Sequence, residues 1–179
     1  AGAGNLTLAG AGNAFSGATT ISAGTLTVSG GDALSTNSSV SVASDATLAL
    51  SSNETIGNLS GAGSVSLGGN TLGIVQTADT TFSGNISGSG GLTVSQSGSS
   101  TYALTLSGIN TYTGATTLGD YAWVKLAGDA SMSNSSTVQV NGNSVLTLLS
   151  DQTIGSLASN AATASIQLGS YTLSAGGDN

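Results

Sequence analysis

Residues 104–118 read Leu104-Thr105-Leu106-Ser107-Gly108-Ile109-Asn110-Thr111-Tyr112-Thr113-Gly114-Ala115-Thr116-Thr117-Leu118. The stretch opens on an apolar–Thr–apolar triplet, passes through Gly and Asn, and returns to a β-branched run. Alternation with period two is the mark of a strand with one face buried. The same triplet recurs as Leu6-Thr7-Leu8, Leu26-Thr27-Val28, Val40-Ser41-Val42, Leu48-Ala49-Leu50, Val65-Ser66-Leu67 and Leu92-Thr93-Val94. It continues as Val124-Lys125-Leu126, Val138-Gln139-Val140, Leu146-Thr147-Leu148 and Ile166-Gln167-Leu168. Most of these triplets are soon followed by Gly, Asn, Asp or Ser, and no stretch sustains a helical period, because Ser, Thr and Gly outnumber the straight-chain helix formers.

Spacing sorts the all-β architectures. Leu6, Leu26, Leu48, Leu72 and Leu92 lie about 20 to 24 residues apart, and Leu104, Val124, Leu146 and Ile166 keep that interval. A fixed period of this size indicates coils stacked along an axis. A longer duplication lies over it. Residues 6–21 match residues 104–118 with one deletion, Asn37-Ser38-Ser39 matches Asn134-Ser135-Ser136, and Thr55-Ile56-Gly57-Asn58-Leu59 matches Thr153-Ile154-Gly155-Ser156-Leu157. The expectation is a single segment over 1–179 made of two related repeats, roughly 1–98 and 99–179, each of about four coils with the second cut short. A right-handed parallel β-helix with about 20 to 24 residues per coil fits best. Eight or so coils would form a rod on the order of 40 Å long. A β-sandwich is the alternative, but it leaves the duplication unexplained and usually relies on large aromatic core residues, of which this chain has few.

Composition removes most chemistry. The 179 residues carry a net charge of −7 and one basic side chain, Lys125, with no His, Cys or Pro and 28 Gly. There is no Ser-His-Asp or Cys-His nucleophile system, no thiolate or imidazole metal site and no arginine clamp. Nucleic acid is an improbable partner, since affinity for it comes largely from Lys and Arg neutralising phosphates. A positive mean hydropathy with few charges is the opposite of the disordered signature. No apolar run approaches the roughly 20 residues of a membrane helix, and the chain does not begin with a basic and apolar leader, as a mature or excised piece would not. Without Cys, stability must come from packing and hydrogen bonds.

The run Thr80-Thr81-Phe82-Ser83-Gly84-Asn85-Ile86-Ser87-Gly88-Ser89-Gly90-Gly91-Leu92-Thr93-Val94, followed by residues 104–118, resembles the autotransporter-associated β-strand repeat of bacterial passenger domains. Residues 13–28 hold a second copy of its core, Asn-x-aromatic-Ser/Thr-Gly-Ala-Thr-Thr followed by Gly-Thr-Leu. The second repeat departs from the pattern at Asp120-Tyr121-Ala122-Trp123-Val124-Lys125, where the family has a Gly-Thr-Leu-type strand entry. The resemblance implies a protein of a Gram-negative bacterium, carried across the outer membrane by a C-terminal barrel and displayed or released as a β-helical stalk. It implies roles in adhesion, aggregation or biofilm and in efficient passenger secretion.

The sharper candidates each have a plain rival. Asp32 and Asp129 recur in Gly-Asp-Ala, which suits calcium in principle, but Asp at a turn is the default and the calcium-binding nonapeptide is missing. Asp45, Glu54, Asp79 and Asp151 are scattered, where glycoside hydrolysis needs two carboxylates across a cleft. The expectation is therefore no enzyme, no cofactor and no metal site. Thr19-Thr20, Thr80-Thr81 and Thr116-Thr117 raise an ice-binding alternative, though such pairs recur too sparsely for a continuous array. Asn5, Asn53 and Asn85 stand in Asn-x-Ser/Thr sequons of the kind a Ser/Thr-rich chain contains by chance. Tyr102, Tyr112, Tyr121, Trp123 and Tyr171 could stack on sugars if exposed, or else cap strand ends and corners. Tyr121, Trp123 and Lys125 form the candidate surface binding set. The functional expectation is a structural, extracellular segment, a rigid spacer or adhesive stalk that associates with copies of itself end-to-end or side-to-side; a standalone filament subunit is one alternative. A module binding surface glycans or host receptors is another.

Overall fold

The computed structural model describes residues 4–10, 13, 17–99, 101–128, 132 and 136–176. Among them there are strands and turns and no helix, and the strands stack as a parallel β-solenoid. One face carries Asn5–Ala9, Gly24–Ser29, Ala46–Leu50, Ser64–Ser66 and Asn85–Ser87. The second is the longest, with eight strands: Thr19–Ile21, Val40–Val42, Leu59–Gly61, Thr80–Phe82, Ala103–Leu106, Trp123–Leu126, Val145–Leu148 and Ser165–Gln167. The third runs through Glu54–Ile56, Leu72–Val75, Leu92–Ser95, Thr116–Leu118, Thr137–Val140 and Ser156–Ala158. A separate pair, Gln152–Ile154 and Leu173–Ala175, takes the first face's place in the last coils.

Register puts like on like. Leu26 lies between Leu6 and Leu48 on the first face, and Leu104, Val124, Leu146 and Ile166 form one column on the second. Neighbouring strands are about 4.8 Å apart, so each inward side chain touches its counterpart above and below. The alternating pattern of buried and half-buried residues along each inner strand follows directly, as in Ala46–Leu50 and Val145–Leu148. Completing the burial of such a Leu or Val contributes about 1.5–3 kcal/mol relative to leaving it exposed.

The coil step is less regular than the sequence implies. It shortens to 17 residues between Leu48 and Val65 and lengthens to 24 between Thr80 and Leu104. One expected column is corrected accordingly: Leu72 does not follow Leu48 but sits on the third face between Glu54 and Leu92. The reason is that the apolar–hydroxyl–apolar triplet is the same on all three faces and carries no label for which face it occupies. The duplicated segments show the same ambiguity. Leu6 is on the first face and its match Leu104 on the second, while Thr19–Ile21 is on the second and Thr116–Leu118 on the third. The second segment is thus turned by one face about the axis relative to the first.

Corners are held by close backbone approach. A Cβ at Gly84 would collide with the carbonyl oxygen of Gly63, and one at Gly108 with that of Gly84. Three successive coils therefore pass this corner without side chains. At Gly69, by contrast, a Cβ would meet only the Ser89 hydroxyl at 3.7 Å. Gly84→Ala is expected to lower the unfolding free energy by about 2–3 kcal/mol, as overpacking does when backbone has to move, while Gly69→Ala changes it little. Urea unfolding followed by circular dichroism tests this, and equal midpoints for the two variants would contradict the corner assignment.

Candidate functional site

Of the three residues the sequence singles out, the structure joins two. Trp123 and Lys125 alternate with buried Val124 and Leu126, so both point outward from the second face. The Lys125 ammonium lies 4.3 Å from the centre of the Trp123 ring, a cation–π contact. Trp123 Nε1 donates to Thr147 Oγ1 at 3.0 Å, and that hydroxyl donates to Gln167 Oε1 at 3.0 Å, one coil further on. Tyr121 stands at the corner before this strand with φ 56°, a left-handed conformation that non-glycine residues seldom adopt. The family's Gly-Thr-Leu entry is thus replaced by a strained corner and a Trp–Lys pair.

Lys125 also lines a groove that the sequence does not announce. Asp79, Thr80, Thr81, Ala103 and Thr105 complete its walls, and its volume is about 230 Å³. The row Thr81–Thr105–Lys125 is set by ladder register across three coils, and Ala103 is directly opposite Trp123. Asp79 Oδ1 accepts the Ala103 N–H at 2.7 Å. The spacing of Thr105 and Lys125 carried the signal for their adjacency; Asp79 gave none.

The other carboxylates and amides act as staples between coils. Asn53 Oδ1 accepts from Thr71 N at 2.9 Å, Asn110 Oδ1 from Ile86 N at 2.9 Å, Asp120 Oδ1 from Asn143 N at 3.0 Å and Asp151 Oδ1 from Thr172 N at 2.8 Å. Asn110 replaces a ladder bond over the last strand of the first face, and the other three serve N–H groups where the backbone turns a corner. Among the described residues no three acidic, His or Cys side chains gather to hold a metal. Asp32 has φ 50°, the geometry of a turn residue, and Asp129 lies outside the described residues. The Thr pairs contribute one outward hydroxyl each: Thr116 is fully buried, and the outward row through Thr81 and Thr105 is interrupted by Lys125.

The aromatics divide as the sequence did not foresee. Tyr112 is fully buried with its hydroxyl bonded to that of Thr116, whereas Tyr102 and Tyr171 are exposed. Burial pushes the Tyr112 phenol up to about 12. The Asn-x-Tyr of the repeat motif is thereby structural: Asn110 holds the preceding coil, and Tyr112 fills the core.

Glu54 is the buried acid. Its two carboxylate oxygens accept the N–H groups of Leu34 at 2.8 Å and Ala33 at 3.0 Å, one coil before it. Burial raises its pKa above the ordinary 4.5, the Leu34 and Ala33 hydrogen bonds oppose the rise, and nearby Asp32 adds to it. A carboxyl with a raised folded-state pKa binds its proton more tightly when folded. Stability from this group is therefore present at low pH and lost as pH rises from 4.5 through the raised value.

Comparison with known proteins bears on the same segments. Residues 1–28 and 103–120 match the family model of the passenger-associated-transport-repeat. Both stretches are similar to that repeat and together cover about a quarter of the chain. Together with the solenoid they fit an autotransporter passenger with β repeats. No curated protein and no solved structure matches the chain. The second matched stretch spans the strand Ala103–Leu106, Asn110, Tyr112 and the strand Thr116–Leu118, so it carries the chain from one face to another and includes the Asn staple. In the first matched stretch, Asn13 Nδ2 donates to Ala33 O at 2.9 Å, likewise across coils. The repeat family implies export to the cell surface or extracellular space and, in the full-length protein, linkage to an outer-membrane barrel.

Glu54→Gln tests the buried acid. The variant loses one acceptor and is expected to cost about 1–3 kcal/mol. The stability of the native chain relative to the variant should fall as pH rises through the window above 4.5 and then level off. Urea midpoints that differ by a constant across this range would contradict the raised pKa.

Proposed function

We propose that this chain is a rigid, non-enzymatic stalk segment of an autotransporter passenger, and that its coil-by-coil folding promotes its own secretion. The observation that supports this most is the pairing pattern. Every strand ladder joins neighbouring coils 17 to 24 residues apart, and all are parallel. A coil leaving a pore thus finds its partner in the adjacent coil and waits for no distant segment, which makes the energetics close to one-dimensional. The chain has no Cys and no Pro, so neither disulfide shuffling nor prolyl isomerisation delays that stacking. Few charges oppose passage, and the carboxylates serve as staples within the stack.

Leu104→Asp in the full-length passenger is the test for secretion. It places an unpaired carboxyl in the fully buried column of the second face. The surface-exposed passenger per barrel, measured by surface labelling against an immunoblot of the barrel, should fall several-fold. Unchanged display by a variant shown to be misfolded would refute the export role.

Self-association is the adhesive part of the proposal. Leu6 is 65% exposed near one end of the stack, and Leu157 and Leu168 are each 42% exposed near the other. The strands there, Asn5–Ala9 and Ser156–Ala158, each pair on one side among the described residues. In the isolated segment, unpaired edges of this sort accept another strand, and head-to-tail contact between its unlike ends propagates into a filament. Sedimentation velocity of the isolated segment should show species that grow with concentration, and Leu157→Lys should suppress them. A strict monomer at all concentrations would reject the contact.

A further inference from the structure

We infer that the groove over Thr81, Thr105 and Lys125 is a binding site for a single neutral pyranose, a function separate from the stalk. Its walls supply unsatisfied polar atoms of both kinds. Asp79 Oδ1 is engaged by Ala103 N, but its second carboxylate oxygen makes no hydrogen bond among the described residues, and neither do the Thr81 and Thr105 hydroxyls. The Lys125 ammonium has the Trp123 ring as its contact and no ion pair among the described residues. One charged acceptor, two hydroxyls that donate or accept and one charged donor therefore line about 230 Å³.

That set selects a ligand class. An apolar ligand would strand the polar atoms, because only Ala103 and the threonine methyls offer apolar surface. A simple anion would meet Asp79 and a chain of net charge −7, and a cation would meet Lys125. A neutral ring bearing several hydroxyls satisfies every wall: one hydroxyl donates to the free oxygen of Asp79, a ring or hydroxyl oxygen accepts from Lys125, and the threonines bridge between them. Bonds to the charged groups are the stronger ones. The volume lies below the 300–1,000 Å³ of ordinary ligand pockets, which suits one monosaccharide. Trp123 is held beside the groove by Thr147 and Lys125, and as the chain's one Trp it reports on the site.

The full chain is titrated with the methyl glycosides of glucose, galactose and mannose, and in parallel with methyl glucuronoside, following Trp123 fluorescence and ligand-observed NMR. At least one neutral glycoside should saturate both signals with a Kd of roughly 1–10 mM. Thr105→Val removes a groove hydroxyl from a strand position that tolerates Val, and Asp79→Asn keeps the Oδ1 acceptor for Ala103 N. Each should weaken binding at least fivefold while leaving the circular dichroism spectrum and melting temperature near those of the native chain. Lack of saturation by every neutral glycoside overturns the inference. So does a response to the glucuronoside alone, which would mark an anion site at Lys125, or binding that both variants leave unchanged, which would place the sugar elsewhere.

Discussion

The parallel ladder between successive coils is the constraint from which the rest of this structure follows. It forces each residue to lie directly over its counterpart about 4.8 Å away. Inward positions are then mostly apolar, and the polar exceptions in the third-face column, Glu54 and Thr116, are each hydrogen-bonded. Outward positions need only be wettable and comfortable in a strand, which Ser and Thr are. The scarcity of Lys, Arg and Glu is a consequence of this demand rather than a separate property.

Corners obey the same rule in a different form. Where the backbone turns, ladder bonds lapse, and the N–H groups that lose them must find acceptors. Asn53, Asp79, Asn110, Asp120 and Asp151 supply those acceptors from an adjacent coil. Gly63, Gly84 and Gly108 meet the complementary demand by letting backbones approach where a side chain would collide. With Glu54, four of the chain's eight acidic groups are thereby committed to architecture. Asp79 both staples the Ala103 N–H and lines a groove, and Lys125 is the chain's one basic side chain.

A stack with these properties suits export and extension. Its partners are always adjacent in sequence, so folding can proceed from whichever coil is free, and its length grows by repetition without a larger core. The two stretches that match the passenger-associated-transport-repeat are face-crossing segments of this stack, with Asn13 and Asn110 tying coils together and Tyr112 filling the interior. The groove joins Ala103 and Thr105, inside the second matched stretch, to Lys125, just beyond it. Trp123 and Lys125 stand where the second repeat replaces its expected strand entry.

Period-two alternation, the step near 20 residues and the Gly- and Asn-marked corners were legible in the sequence because each reflects a local or nearest-coil requirement. So was the adjacency of Thr105 and Lys125, one coil apart, and the proximity of Trp123 to Lys125, two residues apart on one strand. Face assignment was not legible: Leu48-Ala49-Leu50 and Leu72-Gly73-Ile74 show the same apolar–small–apolar alternation on different faces, and chain spacing alone does not distinguish a 17-residue coil from part of a longer one. Burial of Glu54 and Tyr112, and the meeting of Asp79 with Lys125, depend on which corner folds over which strand. The sequence by itself determined a stacked, sparsely charged, parallel β architecture, because the repeat of apolar and hydroxyl residues admits little else. Tertiary structure alone decided which side chains face one another across coils, because that depends on how many residues each corner absorbs.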